Sequence, residues 1–575
     1  MMTRNEFNTW ASQIRLFDGS TGVALNMRGM PGGVSTEKWI MEHPDVFLGL
    51  QQDYVKAGSA VLLSPTFGAN RLKMKTHGMD DVVGVNQTLI KISKDAAGDQ
   101  ALVAAELGPT GEFMAPMGLL SFEDIVATYR EQVEAMLTAE PDFFILETFI
   151  DLAEARAAVV AIRDVCDLPI VASMTFDSGR TLSGNSPEAV AVTLEAAGAD
   201  ALGANCSTGP KEVAKVIAQM AKVTDLPLFA KPNAGNPIFK DGKTTFPMGA
   251  EEFAEEAKAL VRAGATLIGG CCGTLPEHIQ VLSDTMQDVK PANRTKAEGV
   301  YLASPREALC MKQGDPLVVI GERINPTGQP KLAKAFVDGD VMPCINLAKD
   351  QVKEGAKVLD VNVGAAGADE VSLLQKLASE LPIYCPVPLC FDTPNAEAME
   401  GALRNYCGRA MLNSASAEEG RMEPMLKLAK RYGALVILLP FAGGPPANAE
   451  ERMETLRTLM AEAEKYGLTK DDVVVDGAFF SVATDAKAPS EVMRFIKMCT
   501  DEGYMTVGGL SNVSFGLPDR EPLNMAFLTM LAASGLSMAI ARPCKETEQV
   551  VATTAVLTGR DEWCMNWIQR SRQNS

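Results

Sequence analysis

Residues 263–273 read Ala263-Gly264-Ala265-Thr266-Leu267-Ile268-Gly269-Gly270-Cys271-Cys272-Gly273. The Ala-Gly-Ala turn is typical of the junction between a helix and a buried parallel strand, and the apolar run after it supplies that strand. The same arrangement occurs upstream, where Ala197-Gly198-Ala199 leads through residues 201–205 to Cys206. The three cysteines are therefore predicted to lie just past the C-terminal ends of two strands, where barrel enzymes carry their catalytic groups.

This placement predicts a zinc site built from Cys206, Cys271 and Cys272 with its fourth position open. Zinc prefers sulfur ligands, and a catalytic zinc site keeps one position for substrate. Two alternatives stand beside this prediction. An isolated cysteine is often a small buried hydrophobe, and a disulfide between the adjacent Cys271 and Cys272 would be strained. The spacing is not that of a zinc finger, so the prediction depends on the strand-end placement.

Composition excludes several classes of function. The formal charge of −20 argues against a nucleic-acid partner. Residues 1–6 are polar and mixed in charge, and no apolar run is long enough to span a membrane. Twelve cysteines in 575 residues are too sparse for a disulfide scaffold, so we expect a reducing, cytoplasmic setting. Only three histidines, His43, His77 and His278, are present, which makes histidine-rich metal sites hard to build.

A repeated unit of helix, glycine-containing turn, short apolar strand and polar loop organises the chain. It occurs eight times in residues 1–290 and eight times in residues 316–575, separated by a polar linker at 291–315. Eight such units in about 290 residues predict one (βα)8 TIM barrel. The fold class is therefore α/β, with two tandem (βα)8 barrels.

The predicted strand ends carry different polar groups in the two barrels. In the first barrel they carry the thiols, Asp18, Glu147 and Asn233, and the two carboxylates could accept hydrogen bonds from a substrate ammonium group. A metal-bound thiolate beside them suits alkylation of a thiol substrate. In the second barrel they carry Glu322, Asn325, Asp360, Asn362, Asp392, Asn413, Asp476 and Asn512. This set matches a flat heterocycle with several N–H donors, such as a pterin; the alternatives are a magnesium site or a solvated acidic rim.

Several motifs resemble known families. The first half resembles the homocysteine S-methyltransferase family, and the second half resembles the pterin-binding methyltransferases. In this order the two modules resemble the N-terminal half of the cobalamin-dependent methionine synthases. The first resemblance rests on Asp18-Gly19-Ser20, residues 65–70, Gly108-Pro109-Thr110-Gly111, Glu147-Thr148-Phe149, residues 203–207, Lys231-Pro232-Asn233-Ala234-Gly235 and residues 269–274. The second rests on residues 321–328, residues 359–364, Asn413-Ser414 and residues 509–518.

The resemblance implies a methyltransferase that moves a methyl group from 5-methyltetrahydrofolate to homocysteine, giving methionine. It implies zinc on the three cysteines, homocysteine near Asp18, Glu147 and Asn233, and methyltetrahydrofolate around the second set. We take Glu147 and Asn512 as candidate catalytic residues, with Asn512 or a nearby water-linked carboxylate for proton delivery to the pterin. Two departures leave the thiol and the details of the pterin pocket open: Ser64-Pro65-Thr66-Phe67 replaces Thr-Asn-Thr-Phe, and Asp476-Gly477 replaces Asp-Pro.

The cobalamin-binding signature Asp-x-His-x-x-Gly is missing, because none of the three histidines has an aspartate two residues before it. We therefore expect cobalamin to be supplied by a separate protein. Three alternatives stay open. One is a pterin enzyme of the dihydropteroate synthase type. Another is a zinc-dependent thiol methyltransferase that uses a small donor, with the second barrel only binding folate. The third is the same chemistry with another methyl donor or thiol acceptor.

Overall fold

The chain folds as two compact units, Met1–Ala297 and Glu298–Ser575. The computed structural model describes residues 1–115, 117–240 and 243–573. Each unit contains an eight-stranded sheet of parallel strands with helices between successive strands. The predicted fold class, two tandem (βα)8 barrels, is confirmed. No helix among the described residues is both long enough and apolar enough to cross a bilayer.

In the first unit the barrel strands pair in the order β1-β10-β7-β6-β5-β4-β3-β2, and a parallel bridge from Phe17 to Val61 joins the two ends. The strands are β1 (Arg15–Leu16), β2 (Val61–Leu63), β3 (Leu102–Leu107), β4 (Phe143–Phe149), β5 (Ile170–Met174), β6 (Ala201–Asn205), β7 (Leu228–Lys231), a hairpin of β8 (Ile238–Lys240) and β9 (Lys243–Thr245), and β10 (Ala265–Ile268). The helices are α1 (Arg4–Ala11), α2 (Thr21–Met27), α3 (Thr36–Glu42), α4 (Pro44–Lys56), α5 (Arg71–Thr76), α6 (Val82–Ala97), α7 (Phe122–Leu137), α8 (Leu152–Val165), α9 (Pro187–Ala197), α10 (Pro210–Met220), α11 (Ala250–Ala263) and α12 (Pro276–Met286).

In the second unit the order is β19-β18-β17-β16-β15-β14-β13-β20, and a parallel bridge from Gly509 to Ile540 joins the ends. The strands are β11 (Val300–Ala303), β12 (Ala308–Met311), β13 (Val318–Ile324), β14 (Val358–Val361), β15 (Leu389–Asp392), β16 (Met411–Ser416), β17 (Leu435–Leu439), β18 (Val473–Asp476), β19 (Thr506–Val507) and β20 (Met538–Ala541). The helices are α13 (Pro330–Val337), α14 (Met342–Lys353), α15 (Glu370–Tyr384), α16 (Ala396–Asn405), α17 (Met422–Tyr432), α18 (Ala449–Lys465), α19 (Ala488–Asp501), α20 (Arg520–Ser534), α21 (Lys545–Leu557) and α22 (Met565–Gln573), with 3₁₀ turns at Lys470–Asp472, Leu510–Asn512 and Glu562–Cys564.

The two Ala-Gly-Ala turns end helices as the sequence predicts. Helix α9 stops at Gly198 with φ +109°, and α11 stops at Gly264 with φ +112°. These left-handed conformations are costly for residues with a Cβ, so glycine is the residue that ends the helix and turns the chain back. Strands β6 and β10 follow within three residues and carry the cysteines at their far ends.

The interior of each barrel is filled with apolar side chains, and an additional element packs against each filling. In the first unit Phe7 of α1 joins the interior cluster. In the second unit Val300, Leu302 and Met311 of the β11–β12 hairpin join it. This hairpin lies within residues 291–315, the stretch predicted as a linker from its polar start; the domain boundaries given above stay a prediction.

Candidate functional site

The three cysteines predicted as metal ligands come together at the C-terminal mouth of the first barrel. Their sulfur atoms all lie within 4.8 Å of one another. Each of the three residues is half-buried. Zinc–sulfur bonds are about 2.3 Å long, so sulfurs this close can share one ion. The donor set therefore fits a zinc ion with three protein ligands.

One short segment anchors the backbones of all three cysteines. The amide of Cys206 donates to the carbonyl of Lys231 at 3.0 Å, and the amide of Cys271 donates to the carbonyl of Pro232 at 2.7 Å. The amide of Cys272 donates to Asn233 Oδ1 at 3.1 Å. The segment 231–233 at the end of β7 therefore serves as the template on which the strand ends of β6 and β10 are aligned.

Hydrogen bonds among the three thiols lower the pKa of one thiol and raise the pKa of another. The thiols of Cys271 and Cys272 donate toward Cys206 and lower the pKa of the Cys206 thiol to about 3. The same interactions raise the pKa of Cys271 well above its ordinary value, and burial adds to this. The cluster thus favours one negative charge shared by three sulfurs before any cation is added.

A buried ion cluster lies beside the thiols. Lys231 Nζ lies 3.3 Å from Asp18 Oδ1 and 3.3 Å from Glu147 Oε1. All three side chains are almost fully buried. Asp18 Oδ2 accepts a hydrogen bond from the amide of Leu63 at 2.8 Å. Among the described residues, however, Asp18 Oδ1 and Glu147 Oε1 accept no hydrogen bond of acceptable geometry. These two buried oxygens therefore keep acceptor capacity for an incoming N–H donor.

Burial and charge shift the acidities in this cluster. Burial raises the pKa of Glu147 to about 7, although the ammonium of Lys231 opposes the shift. Burial likewise raises the pKa of Asp18. Burial alone would lower the pKa of Lys231, but the carboxylates of Glu147 and Asp18 raise it above its ordinary value. Lys231 is consequently charged. The effect of burial appears instead in the raised pKa values of Asp18 and Glu147.

Lys231 and Glu106 were not predicted as site residues. The alternation of side-chain direction along a strand could have identified them. Side chains two apart on a strand face the same way. Glu106, Glu147 and Lys231 therefore form a polar layer above the apolar filling. That filling includes Ala104, Ile145 and Phe229, each two residues before one of them. Glu106 is half-buried, and its pKa is raised well above the ordinary value by burial and by the charge of Glu147.

The third predicted substrate-binding residue of this barrel has a different setting. Asn233 is buried, and its Oδ1 accepts the Cys272 amide. The structure thus brings Asp18 and Glu147 together on Lys231, while Asn233 lies under the cysteine turn.

At the mouth of the second barrel, four predicted pterin-binding residues form two hydrogen-bonded pairs. Asn362 Nδ2 donates to Asp392 Oδ2 at 2.9 Å, and Asn413 Nδ2 donates to Asp360 Oδ1 at 3.4 Å. Burial and the charge of Asp392 raise the pKa of Asp360 well above its ordinary value. Burial also raises the pKa of Asp392. These carboxyl groups therefore keep their protons to a higher pH than exposed aspartates do.

The remaining four residues predicted for this pocket differ in how they are held. Asp476 Oδ1 accepts the amide of Ala478 at 2.7 Å, and burial raises the pKa of Asp476 to about 6. Glu322 Oε1 accepts the hydroxyl of Ser511 at 2.7 Å. Asn325 Oδ1 accepts the amide of Thr327, a bond within its own turn. Asn512 is exposed in the 3₁₀ turn Leu510–Asn512.

Comparison with known proteins gives one family match in each of the two units. Residues 15–286 match the family model for homocysteine S-methyltransferase, and residues 321–542 match the model for pterin-binding enzymes. The first match lies within the unit Met1–Ala297 and the second within the unit Glu298–Ser575. The three clustered cysteines lie in the first matched region, and all eight residues of the second set lie in the second matched region.

Two curated relatives extend along almost the whole chain. Methionine synthase from Mycobacterium tuberculosis is 28% identical over 573 residues, and methionine synthase from Mycobacterium leprae is 27% identical over 580. Each alignment covers 93% of this chain and 48% of the relative. The chain therefore spans about half the length of these relatives. Among solved structures, the metallated homocysteine methyltransferase MmuM from Escherichia coli covers 47% of this chain, with 24% identity and a TM-score of 0.42.

Proposed function

We propose that this protein transfers a methyl group from 5-methyltetrahydrofolate, bound in the second barrel, to the thiol of homocysteine, bound in the first, to give methionine. The observation that carries the proposal is the convergence of three thiols beside a buried, carboxylate-rich cluster at one barrel mouth. The family match of each half and the two methionine synthase relatives support it.

In the first barrel, Cys206, Cys271 and Cys272 would hold a zinc ion. Bound there, zinc would keep the substrate sulfur in its nucleophilic thiolate form at neutral pH. Asp18 Oδ1 and Glu147 Oε1, which lie near Lys231 but accept no hydrogen bond from the described residues, would receive the substrate's ammonium group. Glu106, whose pKa is raised well above its ordinary value, lies in the same interior layer. Lys231 limits the repulsion among these carboxylates. The pocket can therefore bind a cationic group while its side chains keep their arrangement.

In the second barrel, the carboxyl and amide groups would bind the amino and ring N–H groups of the pterin. The tertiary amine that gives up the methyl group is a poor leaving group unless it is protonated. Burial raises the pKa values of Glu322, Asp360, Asp392 and Asp476 in this pocket, so these carboxyl groups are the candidates to deliver a proton to that amine. We assign Asn512, which has no proton of suitable acidity, to hydrogen bonding of the pterin.

Cobalamin, carried by a separate protein, would serve as the methyl carrier between the two sites. The 575 residues contain no Asp-x-His-x-x-Gly signature, so the cobalamin of this proposal would be bound outside these residues. Two half-reactions then test the function separately. Methyltetrahydrofolate with free cob(I)alamin should give methylcobalamin, and methylcobalamin with homocysteine should give methionine in a zinc-dependent reaction.

The outcomes separate the candidate functions. Failure of the first half-reaction, with methylation of homocysteine by a small sulfonium donor, would favour the zinc methyltransferase with a folate-binding module. Failure of the second with homocysteine but success with another thiol would change the acceptor. Failure of both would contradict the proposed function.

A further inference from the structure

The side chain of Asn205 bridges three strands beneath the proposed metal site. Asn205 is the last residue of β6, directly before Cys206, and only 1% of it is exposed. Its Oδ1 accepts from the amide of Thr148 at 2.9 Å and from the hydroxyl of Ser173 at 2.7 Å. Its Nδ2 donates to Thr148 Oγ1 at 2.8 Å. The Asn205 side chain thus reaches from β6 past Ser173 on β5 to the end of β4.

Both ends of this bridge have unusual backbone conformations. Thr148 has φ +64° and Cys206 has φ +63°. Non-glycine residues are uncommon in the left-handed region, and a β-branched residue there is a true outlier that its surroundings must hold in place. Two hydrogen bonds with Asn205 hold Thr148 in this conformation. The amide of Thr148 donates to Asn205 Oδ1, and Thr148 Oγ1 accepts from Asn205 Nδ2.

The two residues at the ends of the bridge adjoin the two halves of the proposed thiol site. Thr148 follows Glu147, whose carboxylate lies on Lys231 beside Asp18. Cys206 is one of the three clustered thiols. The separation between the ammonium-binding carboxylate and the thiol cluster therefore depends on how the ends of β4 and β6 are fixed to each other.

We propose that Asn205 is a positioning residue that sets this separation, so that one substrate molecule can reach the carboxylates with its ammonium group and the metal with its sulfur. The proposal rests on the proposed function for its substrate. It adds a residue that touches neither substrate nor metal through its side chain but determines which thiols fit.

The test compares three variants of the full chain loaded with Co²⁺ in place of zinc. Asn205→Ala removes the whole bridge. Thr148→Val removes only the bond to Nδ2 and keeps a β-branched side chain of the same shape. Thr175→Val is the matched control, because Thr175 Oγ1 donates to the carbonyl of Asn205 at 3.1 Å and leaves its side chain alone.

Two readouts are needed. The sulfur-to-cobalt absorption reports the geometry of the thiol cluster without any methyl transfer. The ratio of dissociation constants for homocysteine and 2-mercaptoethanol, a thiol without an ammonium group, reports the separation between the two halves of the site. A role confined to stability would lower the melting temperature and leave both readouts of the folded protein unchanged.

We expect Asn205→Ala to change the absorption spectrum and to weaken homocysteine binding about tenfold relative to 2-mercaptoethanol. Thr148→Val should reduce the same preference about threefold with an unaltered spectrum, since it acts at the carboxylate end. Thr175→Val should match the wild type within twofold in both.

A folded Asn205→Ala protein with the wild-type spectrum and preference would overturn the proposal. If Asn205→Ala does not fold, Thr148→Val decides, and an unchanged preference there overturns it. A wild type that shows the cobalt spectrum and binds both thiols equally would instead contradict the proposed substrate. The spectral change in Asn205→Ala would then still support the link from Asn205 to the thiol cluster.

Discussion

The two barrels share the same fold, but different groups surround the carboxyl groups at their two mouths. In the first barrel a buried lysine lies between carboxylates, next to three thiols that favour one shared negative charge. In the second barrel the aspartates are paired with asparagine amides, and burial raises their pKa values. In the first arrangement the charge of Lys231 opposes the rise in carboxyl pKa that burial causes, and the thiols and carboxyl groups suit binding of cations. In the second arrangement the amides of Asn413 and Asn362 oppose that rise, and the carboxyl and amide oxygens suit a neutral heterocycle with many N–H groups. Identical topology thus leaves the chemistry to the residues at and just past the strand ends.

The largest expected effect comes from removing one thiol of the cluster. Cys272→Ala should abolish stoichiometric zinc binding and slow methyl transfer from methylcobalamin to homocysteine on the order of a thousandfold, because metal ions supply several kcal/mol of charge stabilisation. Zinc content and rate measure this. Methylation of cob(I)alamin in the second barrel should be unaffected. Cys310→Ala is the matched control, since Cys310 is exposed and lies outside the cluster. A Cys272→Ala protein with full zinc content would refute the metal site.

A second prediction concerns a carboxyl group of the second barrel whose pKa is raised by burial. Asp476 has a folded-state pKa of about 6, raised by burial from 3.8. Between these values the folded state binds more protons than the unfolded state, so stability is fully present below pH 3.8 and is lost as pH rises through 6. Asp476→Asn removes this dependence. Its unfolding free energy relative to wild type should therefore increase between pH 4 and pH 7, by about 3 kcal/mol at most. Urea midpoints at several pH values measure it; a constant difference would show that Asp476 titrates normally.

A smaller effect is expected on pterin affinity. Asp360→Asn replaces the most buried carboxyl group of the second pocket and disturbs its bond with Asn413. Loss of one hydrogen bond to a charged or strongly polar partner costs about 1.5–3 kcal/mol, which corresponds to about 10- to 100-fold in affinity. Titration calorimetry with methyltetrahydrofolate measures this. Asp338→Asn, an exposed change at the end of α13, is the control. Equal affinity in both variants would argue against a pterin at Asp360.

The smallest effect tests whether an ionised Glu106 contributes to binding in the first pocket. Burial and the charge of Glu147 raise the pKa of Glu106 well above its ordinary value, so Glu106→Gln should weaken homocysteine binding by a few-fold only at a pH high enough to ionise Glu106, and 2-mercaptoethanol binding should not change. The ratio of the two dissociation constants measures this selectivity. Glu112→Gln, an exposed change in the loop after β3, serves as the comparison. If 2-mercaptoethanol binding weakens equally, Glu106 acts on the thiol cluster and the contrast between the two mouths is less sharp.

The prediction of two barrels rested on local features that the sequence displays directly. Gly198 and Gly264 end helices because glycine tolerates positive φ, and short apolar runs follow them. The placement of Cys206, Cys271 and Cys272 at one barrel mouth followed from the same rule, because parallel strands end at one edge. The hairpin β11–β12 was missed within residues 291–315, since its two short strands follow a polar start and have no helix between them.

The amino-acid sequence by itself thus determined the barrel topology, the strands that carry the predicted site residues and the clustering of the thiols. These depend on hydrophobic periodicity and turn chemistry, which act over a few residues. Only the tertiary structure decided which polar groups became partners. Lys231 forms an ion pair with Asp18, which is distant from it in the sequence. The side chain of Asn205 extends across β5 and forms a hydrogen bond with Thr148. Such contacts depend on barrel closure and on the burial it imposes, and the same burial raises the pKa values of Glu147 and Asp476.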